Sequence, residues 1–373
     1  MNRNYWYALG ILIGTTIGAG IQGIPKAVAS SGLLTGLAVI IFIGLVVLAV
    51  NLMLGEVVLR TAGNHQLTGY AEKYLGKWGK HIMTLTMTSG VYGALIAYTI
   101  GVGKALGAIF SLPSFWFSIG FFVVFSFLVY FGLNVLRESE LDLSIIMWII
   151  IFITMFIAFF YVDVNNFTGF NVSEFFTPYG VVLFAFLGAS AIPMMKETLT
   201  KERSELFSAI IWGAVISIIT YVLFALIIVG VTGSKTTDVA TIGLGQIIGY
   251  KMIIFGNIFA IFAMSTSFLA LAFALKEMYD YDYKLNPNLS WALTCLPAII
   301  IFLLGWENFT ETLSVTGTVA GGIEGILLVL IWMVARKRSE KNPEYNLKFG
   351  YSISAIIILT FLIGLVYYLS TLF

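Results

Sequence analysis

Gly18-Ala19-Gly20-Ile21-Gln22-Gly23-Ile24-Pro25 and Gly188-Ala189-Ser190-Ala191-Ile192-Pro193 each interrupt a hydrophobic stretch long enough to cross a bilayer. Small residues come first, where a helix unwinds at least steric cost. A proline with no N–H to donate follows. In hydrocarbon an unpaired backbone group is expensive, so a break survives only where it is buried in protein or lines a polar cavity. Two breaks in matching helices of two halves point to a midplane binding site of the kind secondary transporters use.

The remaining sequence fits that reading. Hydrophobic residues make up 59% of the 373 and charged residues 10%, with a mean hydropathy of +0.97. Soluble domains carry about a quarter charged residues, so the chain reads as one polytopic membrane domain over 1–373. A net charge of +1 gives no footprint for nucleic acid. The single cysteine, Cys295, excludes an intramolecular disulfide and a cysteine-rich metal site. The apolar run after Met1 is a first span rather than a signal peptide, because it holds a Gly/Pro break and opens a series of spans.

Hydropathy predicts about eleven spans, near 5–31, 33–59, 82–110, 114–133, 144–162, 179–200, 206–231, 244–275, 289–304, 308–335 and 349–371. The connection 60–81 is polar, and Leu67 to Trp78 within it suits a short interfacial helix. With the N-terminus in the cytoplasm, all but four of the 20 lysines and arginines fall in inside segments or span ends; the four are Lys26, Lys104, Lys235 and Lys251. That asymmetry predicts an N-terminus inside and a C-terminus outside, and the chain is expected as a multi-pass protein of the plasma membrane. The breaks lie five spans apart, which predicts two inverted repeats, near 5–162 and 179–335, and one extra helix near 349–371.

Gly14-Thr15-Thr16-Ile17-Gly18-Ala19-Gly20 through Ile24-Pro25, followed by Ser31-Gly32, resembles the first-helix signature of the amino acid/auxin permeases and the bacterial aromatic amino acid permeases. Both belong to the amino acid–polyamine–organocation superfamily. Gly55-Glu56 with Arg60, Tyr92-Gly93 with Tyr98, and Phe184-Ala185-Phe186 are similar to the same group. The resemblance covers essentially the whole chain in span count and order. It implies an all-α leucine-transporter fold: a five-plus-five inverted repeat with broken first and sixth helices, working by alternating access.

An amino acid presents one carboxylate and one ammonium. Free N–H groups at a half-helix N-terminus suit the carboxylate; here these are the amides around Gly18, Ala19 and Gly20. Free carbonyls suit the ammonium or a cation, and would come from Thr15, Thr16 and the Gly188-Ala189-Ser190 region. The hydroxyls of Thr15, Thr16 and Ser190 either join the site or bond back to their own helix. Phe186 and Tyr98, with Phe184, are candidates for side-chain selectivity, against ordinary packing.

Ser265 and Thr266 in the eighth span resemble the hydroxyl pair that faces the first helix in this fold. With carbonyls near Thr15 they imply a sodium site; packing between helices is the plainer reading. Glu324, in the tenth span among Gly321, Gly322 and Gly325, is a candidate proton carrier or a structurally paired carboxylate. Glu56 with Arg60, and Lys196 with Glu197, are candidate gate pairs; the plainer readings are an anchor at the span end and a cytoplasmic helix with Glu197 four residues before Lys201.

The sequence thus predicts a cation-coupled symporter, driven by sodium or protons, for a neutral, aromatic or apolar amino acid. No further cofactor is expected. The alternative is a sensor on the same fold, like a germinant-receptor subunit, which binds without flux. The chain lacks paired intramembrane aspartates, a His-Glu-x-x-His helix and a Gly-x-Ser-x-Gly elbow, so no enzyme is expected. Oligomeric state is left open.

Overall fold

The computed structural model describes residues 3–131, 135–199 and 203–371, leaving aside the side chains of 135–146 and 281–282. Among the described residues every regular element is a helix. The first span is two helices, α1 (Arg3–Thr16) and α2 (Gly20–Ser31), bent by 52° across Ile17–Ala19. The other interrupted span is α7 (Tyr179–Phe186) and α8 (Ala191–Thr198). Between them lie α3 (Leu33–Arg60), α4 (Leu67–Phe110), α5 (Ser114–Phe131) and α6 (Val135–Phe159). After them come α9 (Leu206–Thr232), α10 (Ala240–Ile248), α11 (Tyr250–Glu277) and α12 (Pro287–Leu303). Next, α13 (Phe309–Thr316) passes through a π-turn at Gly317–Gly321 into α14 (Gly322–Lys337), and α15 (Tyr351–Ser370) ends the fold.

Among the described residues, eight helical segments are long and apolar enough to cross a bilayer, or nine when α1 and α2 count as one span. Two shorter apolar helices, Met147–Phe159 and Pro287–Leu303, occupy the ranges expected for the fifth and ninth spans. The eighth span differs from expectation. Hydropathy puts its start near 244, but Gly249, at φ 123°, separates α10 from α11, a conformation open to glycine and strained for other residues. The long helix therefore starts at Tyr250. The expected interfacial helix after Leu67 runs directly into the next span through a kink at Gly76. Sharp starts elsewhere have side-chain caps: Asn286 accepts from the Leu289 N–H just before Pro287, and Asn308 from the Glu311 N–H.

The two interrupted spans cross antiparallel. The first half of one, α1, packs on the second half of the other, α8; α2 packs on α7. Helix α9 packs on both α1 and α2, and α4 on α11 and α13. We call the face where α1 begins the near face. On the far face, the connection from α6 to α7 is fastened down. The Thr168 hydroxyl accepts from the Leu33 N–H at 2.7 Å, and the Asn171 N–H donates to Thr35 at 2.7 Å. Asn166 donates to the Gly230 carbonyl at 2.8 Å.

Candidate functional site

The breaks meet at the centre of this crossing. Each half-helix that ends there leaves carbonyls without helical donors, and each that starts there leaves N–H groups without acceptors. Gly18 donates back to the Thr16 carbonyl at 3.0 Å, Ile21 and Gln22 bond to Gly18 and Ala19, and Ala191 and Ile192 bond to Gly188 and Ala189. Among the described residues, the N–H groups of Ala19, Gly20, Gly188, Ala189 and Ser190 make no hydrogen bond to protein. Two helix N-termini, each carrying partial positive charge, thus bring free donors to one buried region. Gly18, Ala19, Gly20, Gly188 and Ala189 are buried, and Ser190 is half-buried.

Close approach explains the small residues. A Cβ on Gly20 would lie 2.7 Å from the Ala185 Cα; one on Gly18 would lie 2.9 Å from the Ser267 hydroxyl; one on Gly188 would lie 2.8 Å from the Thr16 hydroxyl. Thr16 therefore turns toward the second break. Thr15 is exposed and its hydroxyl donates to the Ile11 carbonyl at 2.7 Å, the back-bond that is its plainer reading.

Tyr98 and Phe186 are both buried but belong to different ring pairs. Tyr98 meets Phe184 edge-on at 6.5 Å, and its hydroxyl faces Ser267. Phe186 meets Tyr221 of α9 edge-on at 5.0 Å. The Tyr221 hydroxyl, fully buried, donates toward the Thr16 carbonyl at 2.6 Å and the Ala185 carbonyl at 2.8 Å. Sequence reasoning missed Tyr221, which shares its helix with the hydroxyls of Ser208, Ser217 and Thr220 and is not marked out from them by any motif.

The eighth-span hydroxyls divide. Thr266 donates to the Phe262 and Ala263 carbonyls at 3.1 Å and lies beside Met147 of α6. The serine that reaches the first break is Ser267, one residue beyond the expected pair. Ser265 is half-buried with no hydrogen bond among the described residues.

Glu324 is half-buried and likewise without a hydrogen bond or ion pair among the described residues. It sits three residues after Gly321, whose Cα face packs on Leu187 in the second break, roughly 4.5 Å along the helix axis.

The candidate gate residues gather on the near face. The Glu56 carboxylate, fully buried, accepts from Arg60 at 2.7 and 2.8 Å, from the Trp332 indole at 2.9 Å and from the Leu347 N–H at 3.0 Å. Arg60 also donates to Ser339 and Asn346, and its carbonyl accepts from the N–H groups of Glu340 and Lys341. The segment 338–349 is thereby strapped across the end of α3. Tyr345 reaches further along it, to the Leu52 carbonyl at 2.6 Å. Lys196 is buried and donates to the Gly63 carbonyl at 2.8 Å. Its neighbour Glu197 is exposed and lines a polar hollow with His65, Glu72 and Lys80; the expected partner Lys201 lies outside the described residues.

A second buried polar cluster lies on the far-face side of the first break. Gln22 of α2 accepts from the Thr241 N–H at 3.3 Å, and the Thr241 hydroxyl donates to Asn257 of α11 at 2.9 Å. The amide NH2 groups of Gln22 and Asn257 have no partner among the described residues. In the sequence Gln22 stands out no more than its neighbours.

Apolar spans packed around two crossed, interrupted helices with free backbone donors define a multi-pass membrane protein of the permease class. Residues 1–369 match the tryptophan/tyrosine permease family, and the chain belongs to that family. It is similar to Glutamine transporter 2 of Aliivibrio fischeri, with 24% identity over 362 residues covering 93% of each chain. It is equally similar to Tyrosine-specific transport system 1 of Haemophilus influenzae, with 24% identity over 387 residues covering 96% of this chain and 94% of that one.

Proposed function

We propose that the protein is a secondary active transporter that imports a neutral amino acid with a coupling cation by alternating access. The observation that carries this reading is the set of free backbone donors at the crossing of the two interrupted spans. Backbone donors at two helix N-termini suit the substrate carboxylate. The activities that name the two relatives, glutamine and tyrosine transport, support an amino acid as substrate. At 24% identity they leave the side chain to be measured. Phe184, Phe186 and Tyr98 favour an apolar or aromatic one.

The antiparallel crossing supports the inverted-repeat organisation of the leucine-transporter fold, with the near face cytoplasmic. In that organisation α1–α3 and α7–α9 rock against the remaining spans. The bonds of Glu56 and Arg60 to Trp332 and to the segment 338–349 then close the inner side, while Lys196–Gly63 ties α8 to the end of α3 within the rocking bundle.

For the coupling ion we favour the proton, carried by Glu324. Its carboxylate has no partner among the described residues and sits about one helical turn from the second break. A hard cation needs several converging oxygens. Thr266 has already spent its hydroxyl on its own helix and faces α6, so Ser265 and Thr266 fit a sodium ion poorly.

Uptake of glutamine, tyrosine, tryptophan and leucine into proteoliposomes tests this, with proton and sodium gradients imposed separately. Concentrative uptake under the proton gradient alone, lost in Glu324→Gln while substrate exchange persists, is expected. Uptake under sodium alone would return the coupling to the eighth-span hydroxyls. Binding without uptake under either gradient would make the chain a sensor.

A further inference from the structure

We infer that Tyr221 is a positioning residue of the substrate site: its buried hydroxyl sets the spacing of the two breaks. The inference rests on the reading of the breaks as the amino acid site. In an unbroken helix the Thr16 carbonyl would receive the Gly20 N–H and the Ala185 carbonyl the Ala189 N–H. Neither bond is made among the described residues. The Thr16 carbonyl keeps only the tight bond from the Gly18 N–H, two residues on. Both carbonyls belong to helix C-terminal ends, which carry partial negative charge, and both point at the same place. Without a shared donor they would repel each other in a buried region, with the Ala185 carbonyl unpaired.

The Tyr221 hydroxyl lies 2.6 Å from one and 2.8 Å from the other. A phenol has one proton, so the two carbonyls share it. The ring that carries the hydroxyl is held edge-on by Phe186 at 5.0 Å. One atom on α9 thus pins two half-helices that are not otherwise joined by a side-chain hydrogen bond among the described residues.

The pin acts on the donors by a short lever. In each break the first free N–H, Ala19 or Gly188, comes three residues after the pinned carbonyl. Moving either carbonyl moves the donors that face the substrate carboxylate. A second consequence concerns charge. The pinned carbonyls take their neutralising donor from the protein and need no metal cation between them.

A positioning role has a signature that distinguishes it from direct contact. Every amino acid has the same carboxylate and ammonium, so loss of the pin weakens all of them alike. Loss of a side-chain contact would change their order instead.

The test is equilibrium binding of glutamine, tyrosine, tryptophan and leucine to the full-length protein in nanodiscs, comparing wild type, Tyr221→Phe and Ser217→Ala. Ser217 lies one turn away on α9, is fully buried, and donates to the Gly213 carbonyl of its own helix. Its replacement therefore removes a buried hydroxyl from the same helix without removing a hydrogen bond to either break. Tyr221→Phe is expected to weaken every amino acid that wild type binds by about tenfold or more with their order unchanged. Ser217→Ala is expected to bind as wild type does. Unchanged affinity in Tyr221→Phe, a changed order, or an equal loss in Ser217→Ala would overturn the inference while leaving the transport reading in place. If wild type binds none of the four, the transport reading falls and takes the inference with it.

Discussion

At the scale of single residues, Glu56 shows how a charge is kept inside a membrane bundle. Its two oxygens receive Arg60, the Trp332 indole and the Leu347 N–H, and no part of the side chain is exposed. Replacing it by Gln keeps the shape but puts an NH2 where an acceptor is required. Whichever way the amide turns, a donor meets a donor, and Arg60 loses its counter-charge. Breaking a buried pair from one side costs about 3 to 5 kcal/mol. Glu56→Gln is therefore expected to lower the melting temperature in detergent strongly. Removing both charges, as Glu56→Met with Arg60→Met, should recover part of the loss. A double variant no better than Glu56→Gln would mean that the hydrogen bonds to Trp332 and Leu347, rather than the ion pair, carry the stability.

At the scale of elements, the breaks are where composition turns into geometry. Gly18→Ala and Gly20→Ala add the same methyl but face different obstacles. That of Gly18→Ala meets a serine hydroxyl at 2.9 Å, whereas that of Gly20→Ala meets the Ala185 backbone at 2.7 Å. A side chain can be trimmed and a backbone cannot. Uptake lost in Gly18→Ala should return in good part in Gly18→Ala/Ser267→Ala, while Gly20→Ala should stay inactive with or without Ser267→Ala. Equal rescue of both would show that the first break is not packed against Ser267 and Ala185 as described.

Both breaks were legible in the sequence to within a few residues. Small residues and a following proline weaken a helix through local sterics and a missing donor, whatever packs around them. The rotation of a helix is harder to read. One residue turns a side chain by about 100°, which is the difference between Thr266 facing α6 and Ser267 facing Gly18. A run of three adjacent hydroxyls carries no period from which to choose. Gly249 was hidden for a related reason: hydropathy continues across it, and only its positive φ ends the helix.

At the scale of the whole molecule, the strap at 338–349 joins α14 and α15 to the end of α3. The sequence alone does not mark this segment out, because its partners Glu56 and Arg60 lie far away along the chain. Its outermost hold is Glu340, whose carboxylate receives Lys73 at 2.7 Å and the Ala62 N–H at 2.8 Å. Those bonds, Lys73 first, hold the carboxyl below its ordinary value. The sign follows from linkage: a depressed folded pKa contributes stability above the unfolded pKa, and that contribution is lost as the pH falls through the folded one. The protection factor of the Ala62 N–H, corrected for the intrinsic exchange rate, should accordingly fall only below the ordinary carboxylate range, and in Glu340→Gln it should be low already at neutral pH. An acid step that persists in Glu340→Gln would belong to another group.

The strap also makes alternating access testable. If α3 belongs to the rocking bundle while α14 and α15 do not, the contact between Arg60, Ala62 and the strap must part in each cycle. Cys295 is buried and is the one native cysteine, so in a Cys295→Ala background Ala62→Cys and Glu340→Cys can be bridged by a short bis-thiol reagent. Bridging should bring uptake down to background, while each single-cysteine variant treated in the same way should keep its activity. Binding of the amino acid should survive, because the breaks lie far from the bridge along α3. Uptake that continues through a bridge verified by mass spectrometry would mean that α3 and the strap travel together. The moving boundary would then lie between the strap and α4, at the Lys73–Glu340 pair.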